Sequence, residues 1–181
     1  MLLNVIVAPD RPVVSYLTPL TGLTADLVAA HGVPLPAALA ALRLALPPAA
    51  VLVGQNIGQD VAWLGLKEGV DFAGMVDLTG LYRVFNPAYK SFSVWGQDHL
   101  ASVLLGWPPS GPHDAAGDAV KSMRLFNLHA RLSTDAAAWA RATATLLASS
   151  PEPSFAKRNP SHEGVCMGNR KTCTCGAPFL G

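Results

Sequence analysis

The stretch Val51 to Leu64, Val-Leu-Val-Gly-Gln-Asn-Ile-Gly-Gln-Asp-Val-Ala-Trp-Leu, limits the fold more than any other. Val51 to Val53 form a short unbroken apolar run after Pro47 and Pro48, the pattern of a strand covered on both faces. Gly54 ends that run. From there Ile57, Val61 and Leu64 fall at i, i+4 and i+7, so the spacing predicts a helix with one core-facing stripe and Asp60 beside it. A strand, a glycine turn and a helix place one carboxylate just past the C-terminal end of a strand, where open α/β sheets build their sites. Taken alone, Asp60 also reads as a solvated first-turn residue that favours the helix dipole.

A second element narrows the choice. Pro112-His-Asp-Ala-Ala-Gly-Asp-Ala119 puts His113 just ahead of a helix and Asp118 in its second turn. Val120, Met123, Phe126 and Leu128 then describe one buried face of that helix. His113 and Asp118 are expected to point toward the same opening.

Asn56-x-x-x-Asp60 and, about fifty residues later, His113-x-x-x-x-Asp118 resemble motifs II and III of the DEDDh 3'-5' exonucleases, whose fold is ribonuclease H-like. Further segments extend the resemblance: Tyr16-Leu-Thr-Pro-Leu-Thr-Gly-Leu-Thr24, Asp71-Phe72 with Met75-Val-Asp-Leu78, and Gln97-Asp-His-Leu100 with Leu104-Leu-Gly106. They are similar to connecting segments of the eukaryotic RNA-exonuclease branch, and the likeness covers residues 3 to 132. The family's motif I, Asp-x-Glu on the central strand, has no counterpart in this sequence. The resemblance therefore implies that Leu3 to Ala8 is the third strand and that the first two strands precede Met1. The expected architecture is α/β, a ribonuclease H-like mixed sheet flanked by helices and lacking the first strands.

The resemblance also implies chemistry. Two Mg or Mn ions would serve hydrolysis of a terminal phosphodiester, with Asp60 and Asp118 as metal-binding carboxylates. His113 would be the general base, since an imidazole accepts a proton near neutral pH. Asn56, Tyr82 and Arg83 are the expected substrate contacts, and single-stranded RNA or DNA 3' ends the expected partners. Tyr82 to Trp95 supports the last expectation independently, because its rings and its Arg and Lys residues offer stacking faces and phosphate-neutralising charge. The same rings could instead pack beneath a long loop. Asp77 is expected to be a structural residue at a strand end, although Asp10 and Asp77 are the carboxylates to examine for a substitute motif I.

Composition excludes several classes. Half of the 181 residues are hydrophobic and 14% are charged, which favours a packed chain over a disordered one. A net charge of +1 gives no global attraction for nucleic acid, so phosphate contacts would rest on local basic groups. The apolar N-terminus lacks the basic region of a secretory signal. The apolar stretch from Pro34 to Val53 is interrupted by Pro36, Arg43, Pro47 and Pro48, so no membrane span is expected. The expected location is intracellular, the nucleus ahead of the cytoplasm by the same resemblance, and oligomeric state is left open.

Along the remaining chain, Thr24 is a good cap for a helix from Ala25 to His31 that Gly32 ends, and Pro34 opens the next, with Leu35, Leu39, Leu42 and Leu46 on one face. Phe72 to Leu78 reads as a buried strand and Gln97 to Leu105 as a helix. Ser133 or Thr134 caps a last helix to Ala148. Residues 1–150 are thus expected to form the exonuclease domain, and residues 151–181, with four Lys/Arg against two Asp/Glu, a flexible basic tail. In that tail His162, Cys166, Cys173 and Cys175 form a candidate zinc set, although the spacing matches no standard knuckle and unliganded cysteines are the alternative. Three functional classes stay open: an exonuclease, a catalytically dead pseudo-exonuclease that binds nucleic acid or protein, and a helical scaffold.

Overall fold

Strands and helices alternate through the computed structural model, which describes residues 3–108, 111–168 and 172–176. In chain order they are β1 (Ile6–Ala8), α1 (Thr18–Thr21), α2 (Ala25–His31), β2 (Gly32–Pro34), α3 (Leu35–Ala45), β3 (Val51–Gly54), α4 (Ile57–Leu64), β4 (Gly74–Asp77), α5 (Leu78–Leu81), β5 (Val84–Asn86), β6 (Ser91–Ser93), α6 (Gln97–Leu100), which continues as a π-helical turn (Ala101–Leu105), α7 (Ala115–Leu132), α8 (Ala136–Ala148) and α9 (Phe155–Arg158). The chain divides into a larger unit of Met1–Asn4, Leu39–Ser110 and Ala115–Pro151, and a smaller one of Val5–Ala38, Gly111–Asp114 and Glu152–Gly181.

In the larger unit β3 and β4 pair in parallel, Val51 opposite Gly74 and Gly54 opposite Asp77. Parallel strands need a crossover, and α4 supplies it. The helical stripe expected from the sequence is observed: Ile57, Val61 and Leu64 are the half-buried positions of α4. β3 is less covered than its composition suggests, since Val51 is exposed. β5 and β6 form an antiparallel hairpin. Among the described residues the strands therefore form three two-stranded pieces, where one mixed sheet was expected.

Leu78, Tyr82, Leu100, Leu125 and Leu146 make the centre of the larger unit, with Val53, Trp95, Phe126 and Trp139 packed around them. Each such leucine contributes about 1.5–3 kcal/mol by leaving water. The buried face of α7 differs from the expected one. Val120 is 52% and Met123 46% exposed, whereas Ser122 and Leu125 are buried. The helix is turned so that a partly polar face packs inward, because that face finds hydrogen-bond partners on α5 and α6. Asp135, not Ser133 or Thr134, caps α8, its Oδ1 accepting from the amides of Ala137 and Ala138. Those bonds hold the Asp135 carboxyl below the usual range.

In the smaller unit β1 pairs in parallel with β2, Ile6 opposite Gly32. Thr24 caps α2 as expected, its Oγ1 accepting from the Leu27 amide. Gly32 does not end α2 in the left-handed conformation; its φ is −70° and the chain runs directly into β2. A glycine is needed there for space, since a Cβ would run into the Val28 carbonyl. The stretch expected to be a flexible tail carries α9, in which Phe155 and Ala156 are buried. Ser15 Oγ donates to Glu163 O at 3.1 Å, and Gly164, at φ +80°, lets that segment pass within 3.0 Å of Ser15 as measured from an added Cβ.

Candidate active site

The turn from β3 to α4 is held by backbone and side-chain bonds rather than by sequence alone. A Cβ on Gly54 would come 2.8 Å from Ile57 Cδ1, so glycine lets α4 start directly against the end of the strand. Asn56 takes the left-handed conformation, φ 55°, which asparagine tolerates better than most residues. Its amide donates to Asp77 Oδ1 at 2.9 Å, and the Thr79 amide donates to the same oxygen at 2.8 Å. Asp77 thus ties the ends of β3 and β4 together and caps α5, the structural role anticipated for it. Asp60 stands exposed in the first turn of α4. Partial desolvation raises its carboxyl above the ordinary value, against the opposing effect of its own amide.

Asp118 lies on the packed side of α7. Gln97 Nε2, from the start of α6, donates to the Asp118 carbonyl at 2.9 Å and to Ser122 Oγ at 2.6 Å. Lys121 Nζ donates to Asp118 Oδ1 at 3.0 Å and to Asp98 Oδ1 at 2.7 Å. One ammonium therefore sits between two carboxylates carried by different helices. Burial alone would pull Lys121 down; the hydrogen bonds and charge of Asp98 and Asp118 outweigh it and raise the group above its ordinary value. α4 and α7 both pack on β3, so Asp60 and Asp118 ride on helices that share a strand. Sequence reasoning missed Asp98 and Lys121. The i,i+3 spacing of Asp118 and Lys121 was a usable signal, whereas nothing local pointed to Asp98.

Tyr82, expected from the sequence as a substrate contact, lies in the core. It is 1% exposed, its hydroxyl donates to the Leu125 carbonyl at 2.8 Å, and its ring meets those of His129 and Trp139 at 5.4 and 6.0 Å. Burial pushes the phenol up to about 12. Its neighbour Arg83 is exposed, with the guanidinium carbon 4.1 Å from the centre of the Phe92 ring, a cation–π contact. Phe92 in turn stands edge-on to Phe85 across the β5–β6 hairpin, and both are about half exposed. Tyr89 at the tip is 78% exposed. The aromatic segment thus divides into a core half, Tyr82 and Trp95, and a surface half.

His113 belongs to the smaller unit. It is exposed, and its amide donates to the Leu20 carbonyl at 2.7 Å. Pro112 beside it lies against Gly22, whose φ of 71° no ordinary side chain favours. In the same unit the thiols of Cys166, Cys173 and Cys175 come together, all within 4.8 Å of one another. The Gly168 amide pulls the Cys166 thiol down, but Cys173 and Cys175 beside it leave it above its ordinary value. Among the described residues His162 does not join them; its ring stands edge-on to Phe155 at 6.1 Å. The candidate zinc set is corrected accordingly to three sulfurs.

No protein-family model matches this chain, and no curated protein matches it in sequence. Among solved structures, the Neurospora crassa Pan2 catalytic unit, which comprises protease and nuclease domains, matches 76% of this chain with a TM-score of 0.61 and 18% identity. This chain spans 23% of that one. The likeness is one of fold, and it bears out the α/β, ribonuclease H-like class expected from the sequence.

Proposed function

We propose that this chain is a 3'-5' exonuclease-type domain that takes the 3' ends of single-stranded RNA or DNA and uses Asp118 as its principal carboxylate. The observation that carries the reading is the convergence of Asp98 and Asp118 on one cation, Lys121 Nζ, at 2.7 and 3.0 Å, in a fold shared with a nuclease-containing structure.

The donors fit the expected Mg or Mn ions in kind. Carboxylate oxygens are the ligands hard divalent cations prefer, and the Lys121 ammonium already stands where two of them converge. Asp118 and Asp98 would hold such an ion; Asp60 from α4 is not among the groups that converge there, and only the family resemblance gives it a metal role. Bound there, it would polarise water and a phosphodiester oxygen. The chain's own groups do the rest. Gln97 fixes the backbone at Asp118, and Asp77 fixes the turn that presents Asn56. Arg83 and the Phe85–Phe92 pair offer charge and stacking faces to an unpaired strand, and Arg83 and Asn56 are the substrate contacts retained. The family resemblance gives His113 the role of general base, which substitution alone tests. A nuclear location follows from that resemblance as well.

One observation favours a second reading, binding without cleavage. Lys121 neutralises part of the charge that would attract a metal. The full chain, incubated with 5'-labelled single-stranded RNA and Mn, decides between them. The exonuclease reading expects stepwise shortening from the 3' end, abolished by chelator and by Asp118→Asn, and slowed roughly 10²- to 10⁴-fold by His113→Ala, the range for loss of a general base. Tight binding of an RNA that stays intact selects the second reading.

A further inference from the structure

The geometry points to a soft-metal site of three thiolates, Cys166, Cys173 and Cys175, with Zn2+ as its ion and no histidine among its ligands. Cys166 Sγ lies 3.3 Å from Cys173 Sγ, and Cys173 Sγ lies 3.3 Å from Cys175 Sγ. None of the three is in a disulfide. Three sulfurs on a tetrahedral zinc, each bonded at roughly 2.3 Å, stand about 3.8 Å apart. The two spacings are therefore about 0.5 Å shorter than one ion needs, and an outward movement of the thiols admits it.

Gly168 makes the arrangement possible and is an independent sign that the sulfurs are meant to converge. Its amide donates to Cys166 Sγ at 3.2 Å, a bond that stabilises a thiolate's charge. A Cβ at this position would stand 3.1 Å from Cys173 Sγ and 3.2 Å from Cys166 Sγ, so a larger residue would require those sulfurs to shift by a few tenths of an ångström. Soft thiolates select Zn2+ or Cu+ over Mg2+ and Mn2+, which separates this site from the carboxylates of α6 and α7 in chemistry. Three protein ligands leave the fourth tetrahedral position to water or to an outside donor. Closing the loop from Cys166 to Cys175 on an ion would hold the end of the chain that follows α9.

The test uses the full chain, reduced and stripped of metal. Titration with Zn2+ against a chromophoric chelator should show one tightly held equivalent per chain, and Zn2+ should protect all three cysteines from alkylation as read by mass. Cys173→Ser should lose that equivalent, Gly168→Ala should weaken it at least tenfold, and His162→Ala should leave it unchanged. Circular dichroism on each variant checks that the helices persist. Cu+ in place of Zn2+ as the ion that protects the thiols, no protection by Zn2+, retention of zinc by Cys173→Ser, or loss of zinc in His162→Ala would each overturn the assignment. None of these readouts depends on nuclease activity.

Discussion

Helices α4 and α7 each carry one of the carboxylates singled out by the sequence motifs, and they hold it differently. On α4 the apolar stripe is the inward side and Asp60 stands beside it in solvent. On α7 Asp118 lies on the packed side itself, a turn away from buried Ser122 and two turns from buried Leu125, while Val120 and Met123 face outward. The difference lies in partners. Gln97, Lys121 and the Tyr82 hydroxyl satisfy polar groups along the packed side of α7, so burying it does not strand them. Apolar periodicity finds a helix; it finds the buried side only when that side has no polar partners waiting for it.

The largest effect that separates the two sides of α7 is in the core. Leu125→Ala should cost about 2–5 kcal/mol in urea unfolding, and Met123→Ala less than about 0.5 kcal/mol. Equal losses would return Met123 to the core and erase the contrast with α4. A smaller effect tests the polar partners. Gln97→Ala should cost about 1–3 kcal/mol, because it removes a shared donor from the Asp118 carbonyl and Ser122 Oγ. Gln59→Ala on the exposed side of α4 should change little, and a comparable loss there would show that the partners of α7 carry no special weight.

A third, weaker effect is read from pH. Burial against Tyr82 and Trp139 holds His129 below its ordinary value of 6.5, against the opposing bond to Leu81. The folded state thus binds fewer protons than the unfolded one just below pH 6.5. The neutral ring's contribution is present above that pH and is lost as pH falls through the lowered value. His129→Gln should flatten this part of the acid side of the stability curve. An unchanged slope would place the titrating group elsewhere.

Much of this arrangement was legible in the sequence. The strand, glycine turn and stripe of Val51 to Leu64 gave β3 and α4 because each residue's local preference agrees with its tertiary place. Thr24 as a cap was equally local. Less legible was anything settled by contacts between distant residues. Tyr82 reads from its neighbours as part of an aromatic, basic surface loop, yet α7 and α8 bury it. Asp98 and Lys121 matter only because α6 and α7 pack together, and a sequence pass along either helix has no view of the other. The cysteine cluster was found by type but given the wrong fourth member, since the spacing of His162 did not reveal that its ring stands against Phe155.

The proposed function makes Asp118, with Asp98, a place for a hard divalent cation, where Lys121 Nζ stands at 3.0 and 2.7 Å from their oxygens. Mn2+ binding to the full chain, followed by the loss of free Mn2+ signal in electron paramagnetic resonance, tests it most directly. Asp118→Asn is expected to weaken binding about tenfold or more, equivalent to about 1.4 kcal/mol, Asp60→Asn to weaken it less, and Lys121→Met to strengthen it. Mn2+ affinity indifferent to both Asp118→Asn and Lys121→Met would contradict it.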